Sequence, residues 1–275
     1  MEKMIETLRE IEKKIKEKKQ SELLQSGAES QQLPMWQDYQ RGAPVCVLRS
    51  SIFGVVKRGR RRYLRREELA KWGEDKISYS GERLDQADLD VWLELLHLVR
   101  TTPLGQTVAF EKYVFLRQLG RSTGSKDWRW LENSIARMMT STVEVKTGTK
   151  RYLGALIHKG YIDDESGRYV VILNTELMAL FHAGYTLQHV KKRRLLNTDL
   201  AKWLCGYLES HKATPDYPHR VSVKRLHELC GSETKQLRDF RIKLKKAASQ
   251  LEDQKIISQW TITKTDMLET VKSQS

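Results

Sequence analysis

Two stretches of this chain, 109 residues apart, lay the same pattern of apolar and basic positions on a helix. In SKDWRWLENSIARMM, Trp128, Leu131, Ile135 and Met138 recur at spacings of 3, 4 and 3, the period of one buried helical face. In ETKQLRDFRIKLKKAASQL, Leu237, Phe240, Leu244 and Ala247 repeat those spacings. A shorter helical pattern precedes each. FEKYVFLRQLG carries Phe110, Tyr113, Leu116 and Leu119 and closes at Gly120; VSVKRLHELCG carries Val223, Leu226 and Leu229 and closes at Gly231. Ser125 and Ser232 are the expected N-caps of the second helices. β-prone stretches follow each pair, at Thr142–Ile157 and Lys255–Lys264, and supply the expected wings. Another pair, Tyr152–Ile157 and Arg168–Leu173, reads as a hairpin across DDESG. The expected fold is therefore α+β, with two tandem winged-helix domains related as a pseudo-repeat.

The outward faces repeat as well. A shift of 109 sets Lys126 on Lys235, Arg129 on Arg238, Asn133 on Ile242 and Arg137 on Lys246, with Lys245 beside the last. A helix backed by an apolar stripe and bearing Lys and Arg on its free side fits a major groove about 12 Å wide. There Arg129 and Arg238 are candidate base readers, Asn133 suits adenine, and Ile242 suits a thymine methyl. Lys146, Lys150 and Arg151, on the expected first wing, are weaker candidates for backbone contact. The bland alternative is two amphipathic helices with ordinary solvated charges, which leaves the position-by-position repeat to chance.

Charge points the same way. The chain carries 49 Lys and Arg against 35 Asp and Glu, a net +14, and the excess is uneven. Residues 31–66 hold nine basic side chains against one acidic, whereas residues 67–120 hold six against ten. The excess gathers in the arm KRGRRRYLRR, where Arg60, Arg61 and Arg62 are candidate phosphate contacts, in Lys191–Arg194, and on the last helix-turn-helix. Patches of this kind attract polyanions, and an anionic membrane surface would satisfy charge alone. No apolar run approaches the roughly 20 residues needed to span a bilayer, and the charged N-terminus lacks the apolar core of an export signal. Cys46, Cys205 and Cys230 are odd in number and widely spaced, which suits a reducing cytoplasm.

Residues 1–30 carry Met4, Leu8, Ile11 and Ile15 as one narrow apolar stripe, an expected amphipathic helix or arm. Residues 31–44 read as a polar linker around the apolar island Leu33-Pro34-Met35-Trp36, and the two winged-helix domains are expected over 45–184 and 185–275. Asp85 is expected to open a long core helix through Leu89, Trp92, Leu93, Leu96 and Val99.

The stretch ISYSGERLDQADLDVWLELLHLVRTTPLGQTVAFEKYVFLRQLG resembles the TrfA-type plasmid replication initiators in its YSG turn, acidic helix start, VW pair and TPLG helix exit. LNTELMALF, and LESH followed by LHELCGSETKQLRDFR, extend the resemblance into the second domain, so that it runs from about Val45 to Thr263. The resemblance implies binding to directly repeated double-stranded origin sites (iterons), contact with an AT-rich single strand as the origin opens, and recruitment of host proteins: the sliding clamp, the replicative helicase and the initiator ATPase. It also implies a homodimer in solution that binds DNA as monomers, plasmid copy control and a bacterial cytoplasmic location. Gln32, Leu33, Met35 and Trp36 resemble the QLxLF clamp-binding peptide of such proteins, with Met and Trp in place of Leu and Phe.

No catalytic constellation emerges, and neither a cofactor nor a metal is expected. GRSTGSK has three residues between its glycines where a phosphate loop has four, and it reads as a helix-turn-helix turn. The seven histidines show no HxH or HExxH spacing, and Asp163, Asp164 and Glu165 read as a solvated turn. A rolling-circle nicking enzyme would need a nucleophilic Tyr beside clustered histidines. A transcriptional repressor using the same two domains on an operator stays open as the alternative.

Overall fold

The computed structural model describes residues 32–273, apart from residues 58, 60, 72, 74, 75, 148, 149, 164–167, 182 and 183. The N-terminal apolar stripe and Arg60 lie outside the described residues.

The first domain is organised around α2 (Gln86–Val99), which follows α1 (Val45–Leu48). Asp85 caps α2, its side chain accepting from the backbone of Ala87 and Asp88 while the Asp88 carboxylate accepts from Asp85 N. This reciprocal capping box satisfies amides that a helix start leaves orphaned. The expected apolar face is buried, with Trp92 stacked on Phe53 at 5.6 Å. β6 (Thr107–Glu111), α3 (Lys112–Gln118) and α4 (Ser125–Thr140) follow. β9 (Lys159–Asp163) and β10 (Arg168–Ile172) then complete an antiparallel sheet in the order β6-β10-β9.

The second domain repeats that path. α7 (Asp199–Glu209), capped by the Thr198 hydroxyl, is followed by β12 (His219–Ser222), α8 (Val223–Leu229) and α9 (Leu237–Asp253). β13 (Ile257–Ile262) and β14 (Met267–Lys272) close a sheet in the order β12-β14-β13. In both domains the strand before the helix-turn-helix pairs with the last strand of the hairpin. The pseudo-repeat thus extends to strand order.

The first wing differs from expectation. β7 (Thr142–Thr147) and β8 (Lys150–Gly154) do form a hairpin, but β7 pairs with β4 (Lys76–Glu82), giving a separate sheet in the order β3-β4-β7-β8 with β3 at Tyr63–Glu68. Ile77 and Tyr79 of β4 and Val143 and Val145 of β7 point inward, and burial of that shared face sets the pairing. The element equivalent to β13–β14 is β9–β10. Lys146 and Arg151, paired across β7 and β8, therefore belong to an added sheet, as does Lys150 at the start of β8. The hairpin partner of Arg168–Ile172 is Lys159–Asp163, not Tyr152–Ile157. Phe110 lies in a strand, and α3 buries Phe115 and Leu116 while Tyr113 stays exposed.

Residues 31–44 are not a linker where they are described. Leu33 and Trp36 join the first core, at 2% and 5% exposure, and the indole Nε1 donates to His97 Nδ1 at 3.0 Å. The Arg41 guanidinium forks onto the Glu94 carboxylate at 2.8 and 3.0 Å. β1 (Gln40–Pro44) pairs antiparallel with β11 (Tyr185–His189), so the strand opening the expected second domain is bonded to the first. The first core ends at Phe181, after α5 (Met178–Phe181), and the second begins at Leu196, after α6 (Val190–Arg194).

The two cores are joined by polar contacts. Arg193 and Lys202 both bond Asp90 at 2.6 Å, Arg193 also reaches Gln86 Oε1 at 2.9 Å, and Trp203 Nε1 donates to Ser50 O at 3.0 Å. Burial opposes ionisation of Asp90, but Arg193 and Lys202 hold its pKa below the ordinary carboxylate value. Arg193, part of the expected basic cluster, is thereby an internal cation. Among the described residues no helix is long and apolar enough to cross a membrane.

Candidate nucleic-acid interface

The α3–α4 turn is fixed by charge more than by a serine cap. Gly124 is the N-cap of α4 and makes no side-chain cap bond, which corrects Ser125. Instead the Asp127 carboxylate, in the first turn, accepts from the Ser122 hydroxyl and from Arg121 Nε at 2.9 Å. The Ser122 hydrogen bond first, and then Arg121, hold Asp127 below its ordinary pKa, which favours the charged form that complements a helix N-terminus. The Arg121 guanidinium also lies 3.6 Å from the centre of the Trp130 ring. In the second domain α9 begins at Leu237 with Gln236 as N-cap, later than a Ser232 cap would start it. Ser232 instead shapes the turn, bonding Thr234, whose carbonyl accepts from His227 Nε2 at 2.7 Å. Lys235 therefore precedes the helix.

The buried faces superpose as the sequence required. Leu131, Ile135 and Met138 of α4 are matched by Phe240, Leu244 and Ala247 of α9, all buried. On the free side Lys126, Arg129 and Asn133 are exposed on α4. Lys235, Arg238, Ile242, Lys245 and Lys246 are exposed at and along α9, with Ile242 at 50%. Among the described residues none of these cations has a carboxylate within ion-pair distance, although Arg121 and Arg241 beside them are paired, Arg241 with Asp266 at 2.7 Å. Unpaired cations in rows on two helices offer positive charge to an external anion.

Two candidates leave the site. Arg137 does not face outward: its guanidinium bonds Asp88 Oδ1 at 2.6 Å beneath α4, where the Ser134 hydroxyl donates to the same oxygen at 2.6 Å. Arg61 bonds the other Asp88 oxygen at 2.9 Å and Asp85 at 2.5 Å, so it bridges the capping box. Burial works against its charge, yet Asp88 and Asp85 raise the Arg61 pKa above its ordinary value. The clamp peptide is also withdrawn, because Leu33 and Trp36, two of its pocket-filling side chains, already fill this chain's own core. Gln32 Nε2 bonds Arg100 O at 3.0 Å, and Met35 alone of the apolar three is exposed. Arg62 stays on the surface but pairs with Glu67 at 2.5 Å.

Two lysines that the helical pattern missed join the site. Lys57 and Lys243 line a cleft of about 400 Å³ with Lys235, Ser232, Glu233 and Thr234, and Lys243 Nζ donates to Thr234 Oγ1 at 3.0 Å. Lys57 comes from the first domain, so no local spacing reveals it. Among the described residues no group of three or more His, Cys, Asp or Glu side chains is placed to hold a metal ion.

Two winged helices, each presenting a basic outward face, define a tandem winged-helix protein. More particularly, the chain belongs to the TrfA protein family, whose model it matches over residues 3–270. It is 24% identical over 225 residues to the plasmid replication initiator protein TrfA of Escherichia coli, a match covering 78% of the chain and 58% of that protein. The chain thus matches less than two thirds of that relative's length. Among solved structures, domains 2 and 3 of RctB superpose with a TM-score of 0.56 at 11% identity, covering 84% of this chain and 98% of theirs. The Pi initiator protein, solved in complex with iteron DNA, superposes with a TM-score of 0.52 at 13% identity, covering 69% of this chain and 91% of that one. At such identities the likeness is one of fold.

Proposed function

We propose that this chain initiates plasmid replication by binding directly repeated origin DNA through α4 and α9. The observation that carries the reading is one outward chemistry on two equivalent helices, Lys126, Arg129 and Asn133 on the first, Lys235, Arg238 and Ile242 at the second. Membership of the TrfA family, a relative named as a plasmid replication initiator and a fold neighbour solved on iteron DNA support it. Each helix enters a major groove, where its arginine reads a guanine edge and its lysines neutralise phosphates. The chain acts by binding and not by catalysis. The bound protein promotes opening of an adjacent AT-rich duplex and recruits the host helicase and initiator ATPase; in solution its form is a homodimer.

Selection of bound duplexes from random and plasmid sequence tests the site. Tandem copies of one sequence are expected, and permanganate reactivity should appear in an AT-rich segment of a supercoiled origin once the protein is added. A palindromic site with a closed origin would overturn initiation in favour of an operator-binding repressor.

A further inference from the structure

The α8–α9 turn, which leads into the second reading helix, is gripped by the first domain. Val55 N donates to Cys230 O at 2.8 Å and Lys57 N to Glu233 Oε2 at 3.3 Å, so the backbone after β2 (Phe53–Gly54) runs along the turn. Arg83, largely buried, bonds Glu233 Oε1 at 3.1 Å and Gly231 O at 2.7 Å. Its guanidinium is threaded between two glycines. A Cβ built on Gly54 would lie 2.6 Å from Arg83 Nη2, and one on Gly231 would lie 2.5 Å from it, so a side chain at either position would displace the guanidinium. Gly231 also holds a φ of +60°, which closes α8.

At its other end Arg83 is linked indirectly to the first reading helix: its carbonyl accepts from Arg61, which bonds Asp88 of the capping box. Its N–H donates to Arg62 O, and it directly precedes β5 (Leu84–Asp85) and the capping box of α2. Within that box Asp88 holds Arg137 and Ser134 of α4. A short run of contacts therefore connects α4, through Asp88 and Arg83, to the turn two residues before Lys235.

We infer that Arg83 is a positioning residue that fixes α9 relative to α4, so that the chain selects the spacing between two half-sites as well as their sequences. The inference rests on the reading that both helices contact one duplex. Each base pair inserted between half-sites moves the second by about 3.4 Å and turns it by about 34°. Helices on a loose tether follow that displacement; helices whose domains are joined at Asp90 and Ser50, with the α8–α9 turn itself held by Arg83, do not.

The test uses the full chain and its selected duplex, with one or two base pairs inserted or deleted between the two protected segments. For the unsubstituted chain one inserted pair should weaken binding about tenfold or more, the range of a lost base contact. Arg83→Ala should bind the native spacing less tightly yet lose under about threefold on insertion, a flattened spacing profile. Glu233→Gln, which keeps the side-chain shape at a partly exposed position, should flatten the profile less, and it carries the test if a melt shows Arg83→Ala unfolded. Variants that weaken all spacings by one common factor, or keep the original profile, would overturn the inference while leaving the two-helix reading intact. Protection of a single segment by the unsubstituted chain would sink both.

Discussion

Asp88 lies fully buried under α4 and takes Arg61 on one oxygen and Arg137 on the other. Removing Arg137 leaves the buried carboxylate with Arg61 and the Ser134 hydroxyl, so the cost falls below the ~3–5 kcal/mol of breaking a lone buried pair and nearer the ~1–3 kcal/mol of a lost charged hydrogen bond. Arg137→Ala should therefore lower the unfolding free energy by about 1–3 kcal/mol, seen as a lower urea midpoint. Arg129→Ala, eight residues earlier on the exposed side of the same helix, should leave the midpoint unchanged and weaken specific binding by about 1–3 kcal/mol. Unfolding curves and binding isotherms on the two variants separate these roles. Unchanged affinity and sequence preference in Arg129→Ala would remove that residue as a base reader. The sequence pattern put both arginines on one outward face because helical periodicity knows only angle. An aspartate 49 residues away decides which of them points at solvent.

At the scale of elements, α4 and α9 were legible because a 3, 4, 3 apolar spacing is local information. The segment at 32–44 was not, since polar composition reads as linker whatever tertiary surface waits for Leu33 and Trp36. Those two side chains carry a stability prediction: Leu33→Ala should cost about 2–5 kcal/mol and Trp36→Ala about 3–5 kcal/mol. Met35→Ala, on an exposed side chain, should stay within about 0.5 kcal/mol. Denaturant midpoints check this, and tolerance of Ala at Leu33 and Trp36 would mean the segment does not pack on α2. Wing assignment failed for a related reason. β7 and β8 have strand character and follow α4 directly, but β7 is claimed by β4, and sheet partners are chosen by long-range burial that a local pattern does not contain.

At the scale of the whole molecule, charge and buried histidines set the response to salt and pH. If several of Lys126, Arg129, Lys235, Arg238, Lys245 and Lys246 meet phosphates, the logarithm of affinity should fall with the logarithm of salt concentration by about 0.9 per contact. A titration series at varied salt reads this, and a flat series would exclude phosphate binding. Burial first, then neighbouring cations such as Arg41, push His97 down to about 4. Burial likewise pushes His219 to about 4 and, with His219 beside it, His211 to about 3. All three are neutral in the fold, whereas the unfolded chain takes up these protons from about pH 6.5 downward. Their contribution to stability is thus complete above pH 6.5 and is lost as the pH falls toward about 4 and then 3. Thermal midpoints should drop between pH 7 and 4, with a shallower drop in His219→Gln.

By itself the sequence determined the two helix-turn-helix units, their shared buried stripe and most of the cations they present, because each of these is encoded within a few helical turns. Only the tertiary structure decided which arginines are spent inside, where the first wing lies, that Leu33 and Trp36 belong to a core, and how the two domains are joined at Asp90, Ser50 and Arg83. Those outcomes depend on partners tens of residues or more away, and the gain from burying an apolar face or pairing a buried charge exists only once the chain has brought them together.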